Sequence, residues 1–434
     1  MKELNKQDEL SRRAFMMNAA RTYLGVGLAP MLGSSLASSA YGQSSKGEKN
    51  PAEAVIFLNM EGGMSHIDTF DVKPNKKEIQ GPVEAISTSA DGIQISQYLP
   101  KTAEVMDKVC LIRSMTSING AHDRGQYMLH RSYAPRGTIV HPTLGAWTMK
   151  LKGRKNTEIP GFVSIGGNSA NASPGFFGSK YGGVPLGRPD EGLKDSTRAS
   201  SVSERDFDRR LKLADTLNKD FHEKYKSVDA NSYDQLYEEA VSLMKSKDLK
   251  AFGINRESSG TKKAYGSERF GQGCLLARRL VEHGVRFVEV TLGGWDTHYD
   301  NFTSVEARCN VLDQAYAALI TDLHNKGMLE STLVVLTTEF GRSPNIVSGH
   351  NNGRDHHPAA YSSLLAGGGV KAGVVHGSTD SKGDRVKEDK VSIQDFNATI
   401  AHALGMDTSA ILLSPSGRPF QVAHKGRAVK EVFA

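Results

Sequence analysis

The chain has 434 residues and a formal net charge of +6, with 38% hydrophobic and 24% charged residues. This composition predicts a globular protein with one large domain or two moderate ones, and it excludes a chain built from membrane spans. The basic surplus is spread thinly, without Lys/Arg runs or interleaved basic and aromatic residues, so we expect no nucleic-acid partner. The three cysteines lack CxxC spacing, which excludes a disulfide framework.

The N-terminus has the pattern of an export signal. Arg12 and Arg13 follow Ser11 and precede Phe15, and a mildly apolar, Gly-rich segment then leads to small residues around Ala40. This pattern predicts a signal peptide at residues 1–42 that is recognised by the twin-arginine translocation machinery; the alternative is a plain basic tail. We expect a mature protein that is periplasmic or extracellular and has no stable membrane span. Because this route carries folded proteins, it also favours a bound metal.

The rest of the chain alternates strands and helices. Apolar runs predict four strands, at residues 54–60, 109–115, 286–292 and 331–339. Apolar residues at helical spacing from Val311 to Leu323, followed by Gly327, predict a helix between the last two strands. This order predicts an α/β fold with a mostly parallel sheet flanked by helices.

The composition and periodicity of the sequence change between residues 180 and 280. This stretch is rich in charge and has a helical period, as in SERDFDRRLKLADTLNKDFHEKYKSVD. We interpret it as a helical insertion over the sheet, within a single domain that spans residues 43–434.

Side chains that can bind a metal collect just after three of the predicted strands. They are Glu61, His66, Asp68 and Asp71 after the first, Asp296, His298 and Asp300 after the third, and Glu339, Asp355, His356 and His357 after the fourth. In parallel sheets, sites form outside the carboxyl ends of strands. Carboxylates mixed with imidazoles, without thiolates, indicate a divalent metal such as zinc, manganese or iron rather than calcium. Helix caps and Asx-turns explain any one cluster equally well, but three clusters together predict a metal site.

Five motifs carry a family resemblance: EGGMSHIDTFDVKP, GGWDTHYDNF, TTEFGRSP, GRDHHP and DFNATIAHALGMD. In order and spacing they resemble the bacterial family called domain of unknown function 1501, over almost all of the mature chain. That family resembles, more distantly, the alkaline phosphatase and sulfatase superfamily. The resemblance implies an alkaline-phosphatase-like α/β domain that binds metal.

The distant resemblance also implies candidate ligands, matched position by position. Glu61, or else Asp68, stands where an acid at the end of the first strand holds one metal, and Asp296 with His298 resembles the pair that holds another. Glu339 replaces the acid of an Asp-His pair whose histidine is replaced by Phe340. A final histidine before a proline resembles His356 or His357, with Asp355 in the same motif.

The nucleophile of that superfamily has no direct match. The superfamily has a Ser, Thr or modified Cys at a helix N-terminus, whereas His122 stands closest here, with Ser114, Thr116 and Ser117 upstream. The role of His122 stays open between metal ligand, nucleophile, general acid and support of its loop. Arg124 and Arg342 are candidate catalytic clamps for an oxyanion, or else partners in salt bridges.

Two functions follow from these residues. The first is an exported metal-dependent hydrolase of a phosphate or sulfate ester, acting on a small molecule or a polymer. The second is a non-catalytic exported protein that binds metal and has a binding or assembly role. The missing hydroxyl and Phe340 favour the second, while the remaining ligand positions favour the first.

Overall fold

The computed structural model describes residues 52–194, 196–224 and 239–434. The predicted export signal at residues 1–42 lies outside these ranges. Within them, no helix combines the length and apolar character needed to cross a membrane.

Nine strands of the described residues form one central sheet. They are β1 (Ala54–Met60), β2 (Val109–Thr116), β3 (Phe162–Ile165), β4 (Val184–Leu186), β5 (Phe287–Leu292), β6 (Thr332–Thr337), β7 (Tyr361–Ala366), β8 (Val374–His376) and β9 (Val391–Ser392). Their order is β8-β2-β7-β6-β1-β5-β3-β4, and β9 pairs with β2. Among these nine strands, β7 alone runs antiparallel to its neighbours, β2 and β6. The predicted α/β fold with a mostly parallel sheet is therefore confirmed, and all four predicted strands are present.

Helices cover both faces of the sheet. They are α1 (Lys77–Gln80), α2 (Pro100–Ala103), α3 (His122–Arg131), α4 (Leu144–Lys152), α5 (Glu204–Lys224), α6 (Ser259–Tyr265), α7 (Arg269–Glu282), α8 (Asn301–Asn325) and α9 (Ile393–Ala403). Of these, α5, α6 and α7 fall between β4 and β5, where the sequence predicts the helical insertion. The helix predicted before Gly327 is α8.

The alternation of side chains along β1 creates two cores. Ile56 and Leu58 point into a core shared with α7 and α8, whereas Val55 and Phe57 point into a core shared with α4 and α9. Every residue of β1 is buried, as expected for a central strand covered on both faces. Burial of this apolar surface on both faces stabilises β1 in the sheet, and the position of the strand determines where its carboxyl end lies.

Four short ribbons complete the fold. They pair Ala85–Ser87 with Gln94–Ser96, Gly341–Arg342 with His356–His357, Ser378–Thr379 with Val386–Glu388, and Leu412–Leu413 with Pro419–Phe420. The ribbon of Gly341–Arg342 and His356–His357 matters most for function. Because β7 is antiparallel, its first residue lies at the edge where β1, β2, β5 and β6 end. The chain before β7 therefore reaches the same edge as the chain after the parallel strands.

Candidate metal centre

Three imidazole rings and one carboxylate converge at this edge of the sheet. The Nε2 atoms of His122, His298 and His356 lie 3.3, 3.4 and 3.3 Å from Oδ1 of Asp296. Ligand atoms of His122, Asp296 and His356 all lie within 4.8 Å of one another. The Nε2 of His298 is only 2.9 Å from that of His356. We refer to these four residues as the His-Asp cluster.

The second ring nitrogen of each histidine faces an oxygen that only accepts hydrogen bonds. The three contacts are His122 Nδ1 to Glu339 Oε1 at 2.7 Å, His298 Nδ1 to Asp355 Oδ1 at 3.0 Å, and His356 Nδ1 to the Gly120 carbonyl at 2.5 Å. Each Nδ1 must therefore carry the proton that it donates. In the neutral rings, the three Nε2 atoms present bare lone pairs to the centre of the cluster.

These residues fit a divalent metal. Lone pairs and a carboxylate oxygen that face one another repel unless a cation or protons lie between them. The Nε2 of His122 is buried and has no hydrogen-bond partner among the described residues. Nitrogen and oxygen donors without a thiolate are those of zinc, manganese and iron sites, and an acceptor behind each imidazole is the usual support of such ligands.

Arg342 holds the carboxylate of the cluster. Its side chain is fully buried and donates to Asp296 Oδ1 at 2.6 Å and to the carbonyls of Gly63, Arg354 and Gly62. Burial opposes ionisation, but the hydrogen bond and charge of Arg342 lower the pKa of Asp296 well below its usual range. Of the two interpretations open for Arg342, this geometry matches the salt bridge.

Glu339 lies behind His122 rather than within the cluster. Its buried carboxylate accepts hydrogen bonds from His122, from Gln126 Nε2 at 2.9 Å, from the Gly62 amide at 3.0 Å and from Thr338 Oγ1 at 3.0 Å. The hydrogen bond that His122 donates to Glu339 raises the pKa of His122. Glu339 is a predicted ligand, and its contacts are those of a residue that orients His122.

Two other predicted ligands lie away from the cluster. Asp68 is fully buried in a two-pronged ion pair with Arg354, with contacts of 2.8 and 2.9 Å. His357 directs its Nε2 to the carbonyl of Asp384 at 2.5 Å, although its neighbour His356 joins the cluster. The side chain of Asp355 is 60% exposed and supports His298.

Glu61 and Arg124 take no part in the hydrogen bonds and ion pairs of the cluster among the described residues. Glu61 has no side-chain hydrogen bond within the described residues, and burial followed by the charge of Glu339 raises the pKa of its carboxyl group. Arg124 is exposed in the first turn of α3 and forms no ion pair with a described residue. Ala121 provides no side-chain cap for α3, so the amides of this first turn are available to an anion.

The hydroxyl groups upstream of His122 differ in their surroundings, and that of Ser114 has no hydrogen-bond partner among the described residues. Ser114 is buried in β2 beside Gly377, Thr116 Oγ1 donates to the Val391 carbonyl at 3.4 Å, and Ser117 Oγ donates to the Asn119 carbonyl at 3.2 Å. Phe340 is fully buried, and its ring lies 4.9 Å from that of His122.

Sequence reasoning did not identify Gln126 or the Gly120 carbonyl as parts of the site. Gln126 follows His122 by four residues on α3, so it lies on the same face of the helix, and this spacing is a usable signal. A backbone carbonyl such as that of Gly120 leaves no mark in the sequence. Its role depends on how the loop after β2 passes the ribbon.

The family model described as "Protein of unknown function (DUF1501)" matches residues 52–433. Among curated proteins, none matches the chain significantly. Similar solved structures include a phosphonate monoester hydrolase from Silicibacter pomeroyi, at 12% identity and a TM-score of 0.40 over 88% of this chain and 76% of that one. A protein in the alkaline phosphatase superfamily from Vibrio parahaemolyticus has 11% identity and a TM-score of 0.37 over 89% and 72%. The lipoteichoic acid synthase LtaP from Listeria monocytogenes has 9% identity and a TM-score of 0.38 over 83% and 74%.

Proposed function

The chain belongs to the family described as "Protein of unknown function (DUF1501)", and we propose that it is an exported metal-dependent hydrolase of phosphate or sulfate esters. One observation carries the proposal. Three imidazoles, each with its Nδ1 proton engaged by an oxygen, direct their Nε2 atoms to Oδ1 of Asp296. That donor set suits zinc, manganese or iron.

When bound, the ion acts as a Lewis acid on an ester oxygen and lowers the pKa of a water molecule. His122, His298, His356 and Asp296 would hold it. Glu339 and Asp355 keep two of the rings in the correct tautomer through their Nδ1 protons. Substrate has access to this place because the side chain of Asp296 is 48% exposed and that of His298 is 34% exposed.

An oxyanion suits the space beside the cluster. His122 is the first residue of α3, so the free amides of the first turn lie next to the ligand atoms. A helix N-terminus attracts negative charge, and the exposed Arg124 adds a guanidinium group that matches two oxygens of a phosphate or sulfate. We assign binding of the ester oxyanion to these groups.

Glu61 is our candidate for proton transfer to the leaving group. Burial and the nearby charge of Glu339 raise the pKa of this half-buried carboxyl group, which favours the protonated form that a general acid requires. The hydroxyls of Ser114, Thr116 and Ser117 have partners or burial of their own, which supports attack by water rather than by a side chain of this segment.

The second candidate is a non-catalytic metal-binding protein. Phe340 stands at a position where the superfamily has a ligand, and its buried ring packs against His122. Both candidates share the metal centre and the proposed export through the twin-arginine route.

Purified protein loaded with zinc, manganese or iron should release nitrophenol from nitrophenyl phosphate or nitrophenyl sulfate. Asp296→Ala should abolish the release, while Asp300→Ala, a nearby carboxylate outside the cluster, should retain most of it. A protein that binds metal tightly but hydrolyses neither ester would support the non-catalytic candidate. A folded protein that binds none of the three metals would refute both.

A further inference from the structure

One part of the chain is almost free of acidic residues. Residues 124–189 contain nine lysines and arginines but a single acid, Glu158, and no acid occurs between Asp407 and Glu431. These two segments are far apart in the sequence. In the fold they meet, because the ring of Tyr133 lies 5.4 Å from that of Phe420 and 4.5 Å from that of His424.

The two segments build one surface around a row of rings. Successive ring centroids from Tyr181 through Phe177, Phe176, Phe420 and Tyr133 to His424 are 4.5–6.0 Å apart. At one end of the row, Lys150 and Lys180 place their amines 4.6 and 5.1 Å from the Tyr181 ring. At the other end, Arg418 donates to Thr138, and Lys425 follows His424.

We define the cationic face as Arg136, Lys150, Lys180, Arg418 and Lys425. All five are exposed, and none forms a salt bridge with a described residue. Two acids that border these segments in the sequence have other partners: Asp407 accepts a hydrogen bond from Ser409, and Asp395 accepts one from Ser392. Five unpaired cations on one surface raise the local concentration of anions.

The positions of the cations suit an extended anionic polymer. Cations lie at both ends of the ring row, so a ligand that contacts all of them must be long and carry repeated negative charges. Two rings of the row offer little free face for a nucleobase, because Tyr133 and Phe420 are buried and His141 and His424 both pack on Tyr133 at 4.5 Å. Stacking on free aromatic faces is the main device of single-stranded nucleic-acid binding.

We propose that the cationic face binds a linear polysaccharide that bears sulfate or phosphate groups. The helix α3 connects this face to the His-Asp cluster, since His122 begins the helix and Arg131 ends it about 14 Å away. The second half of the proposal, that this polysaccharide is the ester substrate, rests on the proposed function. A chain lying on the face would bring one of its ester groups to the exposed cluster.

The test compares two variants with the same loss of charge. The face variant combines Arg136→Gln, Lys150→Gln, Lys180→Gln, Arg418→Gln and Lys425→Gln. The control variant combines Lys77→Gln, Lys101→Gln, Lys262→Gln, Lys263→Gln and Lys390→Gln, all exposed and outside the face. Binding of a heparin oligosaccharide is measured by calorimetry near physiological salt. We expect the dissociation constant to rise at least about tenfold in the face variant and to change less than about twofold in the control.

An equal change in both variants would show a general effect of net charge and overturn the proposal. If duplex DNA binds more tightly than heparin, and the face variant no longer binds the DNA, the ligand of the face is a nucleic acid and the polysaccharide proposal is overturned. The face variant should also release nitrophenol from a small ester as fast as the parent. If the parent hydrolyses no ester but heparin binding is weakened in the face variant, the cationic face is supported as a polysaccharide-binding surface. The assignment of the polysaccharide as ester substrate is then refuted.

Discussion

His356 and His357 are neighbours in one short strand, yet their imidazoles have opposite surroundings. The Nε2 of His356 faces Asp296, whereas that of His357 faces the Asp384 carbonyl. In a strand, successive side chains point to opposite sides, so only one of the two can reach the cluster. Sequence reasoning identified both as candidates and could not choose between them, because the choice depends on which side of the ribbon faces α3.

This contrast gives the first prediction, with each histidine serving as the control for the other. His356→Ala should weaken metal binding at least about 100-fold, because it removes a ligand, while His357→Ala should change it less than about threefold. Competitive chelation measures both affinities, and circular dichroism verifies the fold. Equal losses in two folded variants would show that the cluster is not the metal centre.

A second prediction concerns Glu339 and distinguishes a metal ligand from a residue that orients a ligand. In Glu339→Gln, the side-chain oxygen can still accept the His122 Nδ1 proton, but the negative charge behind the ring is lost. Metal affinity should fall about 10- to 100-fold, less than for His356→Ala. A loss as severe as that of His356→Ala would assign Glu339 to the ligands, as the sequence resemblance implied.

His66 supports a prediction on pH and stability. Its ring is fully buried, and burial lowers its pKa from 6.5 to about 4. Between pH 6.5 and 4, His66 is therefore protonated in the unfolded chain but neutral in the folded chain. Its contribution to the free energy of unfolding is fully present above pH 6.5 and is lost as the pH falls. From pH 7 to pH 5 the free energy of unfolding should fall by about 2 kcal/mol on account of His66.

Denaturant unfolding at the two pH values measures this loss. Because other groups also titrate in that range, the comparison is with His66→Gln, whose side chain has no charge to gain. The variant should lose about 2 kcal/mol less than the parent between pH 7 and pH 5. Parallel losses would mean that His66 accepts its proton in the folded state.

At the scale of elements, the apolar pattern identified four of the nine described strands of the central sheet, which are β1, β2, β5 and β6. Runs such as AVIFLNM show burial on both faces, and burial on both faces requires a central strand. The pattern says nothing about direction, so the reversal of β7 was not predicted. Because of that reversal, the His356–His357 segment reaches the site by preceding its strand, whereas the other site segments follow theirs.

The loop from Ser343 to Asp355 contacts the segment after β5 so closely that one glycine is essential. A Cβ at Gly353 would stand 1.6 Å from the carbonyl oxygen of His298, whereas a Cβ at Gly349 in the same loop would meet nothing within 4 Å. Gly353→Ala should lower the free energy of unfolding by about 1–3 kcal/mol and weaken metal binding, because His298 must move.

Gly349→Ala is the matched control, and it should change stability by less than about 0.5 kcal/mol. Thermal unfolding and chelation are measured on both variants. If Gly353→Ala behaves like Gly349→Ala, the loop does not hold His298 in place.

At the scale of the whole molecule, charge was the least predictable property. The sequence shows its basic residues thinly spread, and the surface around Arg136 and Lys425 arises only where two distant segments meet. The same holds for the buried ion pair of Asp68 with Arg354, whose partners are 286 residues apart. A single sequence shows which residue types are present but not which distant ones become neighbours.

Export is a prediction for the whole chain. Replacing Arg12 and Arg13 together by lysine should leave the precursor inside the cell, because the translocation machinery recognises the guanidinium pair. Arg21→Lys, which lies outside the pair, is the control and should be exported normally. Cell fractionation and immunoblotting measure the outcome. Mature protein in the periplasm at the parent level in the double variant would refute a twin-arginine signal.

The separation of the cluster residues along the chain has a consequence for the timing of synthesis. More than half of the sequence lies between His122 and His356, so a growing chain on the ribosome lacks a complete ligand set until its last quarter emerges. Capture of an ion by the proposed centre would then follow assembly of the sheet. Only a chain that has completed folding would retain the metal. A translocase that accepts only folded proteins would therefore receive molecules that already contain the ion.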